Sequence, residues 1–151
     1  MPISSLSSRH SLNPKLAKAV QSLNSLLDAI GQKDIPLYTE AQINEIVVGI
    51  NNFPGPAPQL VKQITASQAS ILKLLEKEVG LISKNHFQLQ WLALGMAAFG
   101  IPVGVVFGAV LGNMAFIGIG LPIGLAIGIA VGTSKDTEAA KQGKQLDWSS
   151  S

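Results

Sequence analysis

Apolar residues recur along the first ninety positions at the three- and four-residue spacing of helices covered on one side, and through residues 91–132 the polar side vanishes. The first run is Leu16, Val20, Leu23, Leu26, Leu27 and Ile30. Asn13 and Pro14 suit its N-cap and first turn, and Gly31 its end. A connector with Pro36 follows, and then Thr39 and Gln42 stand at the spacing of a capping box, Thr39 as N-cap and Gln42 reaching back. Ile43, Ile46, Val47 and Ile50 make the apolar side of this shorter helix, and FPGPAP at 53–58 breaks it.

The third helix is predicted from Ala57 or Pro58 onward. Its stripe is Leu60, Ile64, Ile71, Leu75 and Ile82, an eleven-residue period that stays on one side of a nearly straight helix. Leu74 and Leu81 widen the stripe; Ser67, Gln68 and Glu78 interrupt it. Lys62, Lys73, Glu76 and Lys77 occupy the other side. Something must cover the stripe: the first two helices in a three-helix unit, a second copy in a self-associating stalk, or a cytosolic protein partner.

Residues 91–132 hold no charge, and Asn113 is their one strongly polar side chain. As one helix they would reach roughly 63 Å, about twice a hydrocarbon core. The chain must therefore turn, and Gly112-Asn113 is the place, giving two spans. The spans repeat each other: GIPVGVVFGAVLG at 100–112 matches GLPIGLAIGIAVG at 120–132. Gly100, Gly104, Gly108 and Gly112, then Gly120, Gly124, Gly128 and Gly132, each fall four apart and so share a helix face. Such small-residue grooves let helices pack closely in lipid. Val103, Val106, Phe107 and Val110, with Ile123, Leu125, Ile127 and Ile129, back the grooves. Pro102 and Pro122 should kink the two helices, either as hinges or as fixed bends that fit them together. Trp91 is the expected interfacial anchor. After Gly132 a frayed turn or two and a disordered polar tail are expected, with Trp148 near the headgroups.

The divisions are thus 1–12, a disordered start; 13–56, two short amphipathic helices; 57–90, a long amphipathic helix; 91–132, the hairpin; and 133–151, a polar cytosolic tail. The fold class is all-α, a cytosolic helical region followed by a transmembrane hairpin. The start has no continuous apolar region and reads as no secretory signal; its Ser-rich character is only faintly that of a transit peptide, with a single Arg.

Charge fixes the expected orientation. All eleven Lys and Arg lie before residue 85 or after residue 134, so both termini are expected in the cytoplasm and Asn113 outside. A net charge of +2 with no basic stripe gives no reason to expect nucleic acid. The lack of cysteine excludes disulfides, thiolate metal sites and a cysteine nucleophile. No ionisable residue lies between His86 and Thr133, which disfavours a proton path. His10 and His86 are isolated, Glu76 and Glu78 point apart on a helix, and no phosphate loop or nucleophile elbow is present. No enzymatic activity, cofactor or metal is expected.

From LLEKE at 74–78 and SKNHFQLQW at 83–91, through the glycine runs, to KQGKQLD at 141–147, the sequence resembles small, uncharacterised bacterial glycine-zipper membrane proteins. The likeness covers roughly residues 70–147. It implies membrane insertion and tight helix packing, and no activity. The expected role is a non-enzymatic anchor or self-assembling scaffold in the bacterial inner membrane. It would contact the lipid bilayer, other copies of itself and a possible cytosolic protein partner. The alternatives are a pore-forming or holin-like permeabilising protein, and a soluble enzyme with the apolar stretch as its core.

Overall fold

Every regular element in the computed structural model, which describes residues 13–149, is helical. Of these, residues 13–83 with 146–149 form one unit; Lys84–Gln145 form the other. The expected disordered start, 1–12, lies outside the described residues.

In the first unit, α1 spans Pro14–Gly31, α2 Leu37–Asn51 and α3 Ala57–Glu78. The Asn13 side chain accepts from Lys15 N at 3.0 Å, satisfying one of the free donors of the first turn of α1. The capping box at Thr39 does not form. Helix α2 begins three residues earlier, after Pro36, whose carbonyl accepts from Glu40 N. Thr39 is buried in the first turn, and Gln42 donates to the Tyr38 hydroxyl at 2.7 Å instead.

Helices α1 and α2 both pack on α3. Leu60, Ile64, Ile71 and Leu75 are buried there with Leu16, Leu23, Leu26 and Ile30 of α1 and Ile43, Val47 and Ile50 of α2. Of the three covers the sequence allowed, the first two helices are the one that forms, so Leu60, Ile64, Ile71 and Leu75 are the unit's own core and are not left for a partner. Its polar interruption is a crosslink, since Gln68 Nε2 donates to Ser22 Oγ of α1 at 3.1 Å. Ile82 is buried but is not on the helix: α3 stops at Glu78, and Gly80 takes φ +70°, which L side chains avoid.

The end of the chain is also corrected. Leu146 and Trp148, expected in a polar tail, are buried in this same core. Leu146 N donates to Ile82 O at 2.8 Å, and Trp148 Nε1 donates to Ser22 O at 3.1 Å. An indole buries well when its one N–H finds a carbonyl.

The second unit is a hairpin of α4, His86–Val110, and α5, Ile117–Lys141, with a short 3-10 turn, Met114–Phe116, leading into α5. Both helices exceed the expected 91–132: α4 begins at His86, and α5 runs on through the polar residues after Gly132.

Candidate membrane-spanning hairpin

A helix starts with four backbone N–H groups that no turn before it can satisfy. In α4 the residue at the cap, Asn85, has φ 59° and its side chain makes no capping bond. The bonds come from α5. Asp136 Oδ1 accepts from Phe87 N at 3.0 Å, and Oδ2 accepts from Gln88 N at 2.9 Å. A buried carboxylate thus caps the partner helix, where the positive end of the helix dipole also favours it. The same contact explains why α5 stays helical after Gly132, because Asp136 continues the spacing of four from Gly132 on the face turned to α4. Asp136→Asn should cost about 2 kcal/mol, since one charge-assisted bond is lost and an amide N–H is set against a backbone N–H. Reversible unfolding in mixed detergent micelles would measure it; the exposed Glu138→Ala is the comparison, expected within about 0.5 kcal/mol of the parent.

Pro102 shapes the middle of α4. Its ring has no N–H and crowds the carbonyl four residues back. The chain answers with a π-type stretch, Met96–Gly100, in which Ile101 N–H donates to Met96 O, five back. The wider turn takes in one additional residue, so Gly95 and Gly100, five apart, both face α5. Beyond Pro122, by contrast, α5 continues without a break.

The facing backbones lie too close for side chains. A β-carbon built on Gly124 would lie 2.6 Å from Gly95 O and Gly100 N, and 2.7 Å from Gly100 Cα. On Gly120 it would collide with Gly100 O and Gly104 N; on Gly128 it would collide with Trp91 O and lie 2.9 Å from Leu92 Cα. On Gly132 it would lie 2.9 Å from Gln88 N, and on Gly104 3.1 Å from Ile117 Cα. Gly104 is thus opposite Gly120, Gly100 opposite Gly120 and Gly124, and Gly95 opposite Gly124 and Gly128.

Two predicted glycines lie elsewhere. Gly108 meets side chains at the turn, Met114 Sδ at 3.3 Å, so it does not face Gly124 or Gly128 within the hairpin. Gly112 has open space and φ +65°, and it ends α4. There Gly112 N donates to Ala109 O at 3.4 Å and Asn113 N to Gly108 O at 3.0 Å, the paired bonds of a glycine helix stop. Asn113 then caps the next turn, its Oδ1 accepting from Ala115 N at 2.9 Å. Gly95 was absent from the predicted packing residues.

Away from the shared face, the hairpin is apolar and uncovered. Val106 is 61% exposed and Val110 77%. Only 22% and 17% of the most apolar stretches of the two helices are buried, whereas core helices of a soluble fold are mostly buried. At the open end, Lys135 Nζ lies 5.9 Å from the Phe87 ring centroid and 5.7 Å from that of Trp91, within cation–π range. Both helices are long and apolar enough to cross a membrane. No family model, curated protein or solved structure matches this chain. Among the described residues, no group of three or more His, Asp or Glu is placed to hold a metal ion.

Proposed function

We propose that this chain is a non-enzymatic integral membrane protein of the glycine-zipper kind. The hairpin is its anchor, and the three-helix unit is the part presented to the cytoplasm. The carrying observation is the contrast between the two sides of the hairpin: backbone against backbone within, bare apolar side chains without. Water penalises the outer surface heavily, and lipid does not. Helix α4, with 25 residues, would reach about 37 Å at ~1.5 Å per residue, enough for a core of roughly 30 Å with some tilt. The placement of both ends on one side is supported independently of charge, because Leu146 and Trp148 pack in the same core as α1, α2 and α3. The bulky outer faces would then meet lipid or a second copy in a homo-oligomeric scaffold. They carry no polar stripe to line a lumen, which weighs against a permeabilising role.

The test is fractionation with single-cysteine reporters in this cysteine-free chain. The protein should resist carbonate extraction from bacterial membranes. Cysteines at Lys84 and Ser149 should react with an impermeant maleimide in inverted vesicles and be shielded in right-side-out ones. Extraction by carbonate, or labelling of the two positions from opposite sides, would reject the reading.

A further inference from the structure

We infer that the hairpin enters a lipid bilayer tip first and unaided, needing no protein machinery to carry its turn across. This rests on the reading of the hairpin as a membrane anchor and adds how it gets there. A loop between two spans ordinarily resists passage through hydrocarbon for two reasons: its charges, and its backbone groups bonded to water. This turn carries no charge, and most of its backbone donors are bonded within it. The nearest charged residues along the chain are Lys84 and Lys135, both at the open end.

Five backbone donors at the turn, those of Leu111, Gly112, Asn113, Ala115 and Phe116, are bonded within it. Leu111 N donates to Phe107 O at 3.0 Å, Gly112 N to Ala109 O at 3.4 Å, and Asn113 N to Gly108 O at 3.0 Å. Ala115 N donates to Asn113 Oδ1 at 2.9 Å and Phe116 N to Asn113 O at 3.1 Å. The one polar side chain of the tip thereby turns its acceptor oxygen onto its own backbone. Around it project Val110, Leu111 and Met114, 77%, 53% and 65% exposed. The leading end is uncharged and mostly apolar, and the close packing of α4 on α5 lets the pair move in as one body.

The full chain is to be made from purified translation components with protein-free phosphatidylcholine–phosphatidylglycerol liposomes, and in parallel with native inverted membrane vesicles. Carbonate-resistant flotation and proteinase K protection of the hairpin are the readouts. The parent should insert into both. Met114→Lys puts a charge on the tip without touching the turn's hydrogen bonds and should slow liposome insertion by about ten- to a hundredfold, as expected for moving one charge through hydrocarbon. Asn113→Ser keeps an uncharged capping oxygen and should insert like the parent, as should Asn52→Lys, which adds the charge far from the tip. Insertion into native vesicles alone would overturn unaided entry while leaving the membrane anchor intact. Equal rates for Met114→Lys and the parent would overturn it too. Failure to insert into either membrane would reject the anchor itself.

Discussion

Gly124→Leu pulls α4 and α5 apart while leaving membrane insertion intact. At this position the first added carbon already meets Gly95 O and Gly100 N at 2.6 Å. Those are backbone atoms, so no neighbouring rotamer can turn away, and one helix must shift. Overpacking of ordinary cores costs about 1–3 kcal/mol because side chains give way; here the cost should exceed roughly 3 kcal/mol. Leucine is itself favourable in lipid, so insertion has no reason to fail. Gly118 is the matched control, since a β-carbon there meets nothing within 4 Å. Spin labels on cysteines at Ala98 and Ala126, both exposed, should show a longer and broader distance in Gly124→Leu and the parent distance in Gly118→Leu. A parent-like distance in Gly124→Leu would refute the close approach. Gly108→Ala should be mild, because its nearest neighbour is the flexible Met114 side chain.

A comparable loss is expected in the other unit from Ile71→Asp. Ile71 is fully buried in the core that α3 shares with α1 and α2. An aspartate there either ionises without a partner or folds only when protonated, and such changes cost about 3–5 kcal/mol. Set against a total stability of roughly 5–15 kcal/mol for a domain, that removes a large share. Lys73→Asp, two residues away on the exposed side, should stay within about 0.5 kcal/mol of the parent. Urea unfolding followed by Trp148 fluorescence, in a Trp91→Phe background, distinguishes the two. Equal midpoints would mean that the stripe is not core.

Much of this arrangement could be read from local patterns. The stripe from Leu60 to Leu75 fell on one side of α3, and Gly100 and Gly104, with Gly120, Gly124, Gly128 and Gly132, fell on the facing sides of the hairpin helices, because an α-helix keeps a four-residue spacing on one face. The same rule hid Gly95. It stands five before Gly100, off the period, and only the π-type stretch beside Pro102 brings it round. Pro102, two residues after the first glycine of the run, was the available signal. Asp136 was passed over because a charge usually marks a solvated surface, although it sits four after Gly132 and so extends the packed face. Leu146 and Trp148 had no local signal at all: two apolar residues in a polar segment form no period, and the Trp148 hydrogen bond reaches back 126 residues. Thr39 had the right neighbours for a cap, but Pro36 started the helix first.

The return of Leu146 and Trp148 to the core of α1, α2 and α3 sets a clock on biosynthesis. Translation delivers α1, α2 and α3 early, yet the last pieces of their core emerge only after Lys84–Gln145 has been made. At roughly 5–20 residues per second that interval is about 3–12 s, long compared with the time a small helical domain needs to collapse. During it the nascent chain carries an apolar notch where Leu146 and Trp148 belong, open to chaperones and proteases. A ribosome that stalls within the hairpin therefore leaves that notch unfilled on a unit whose helices are already made.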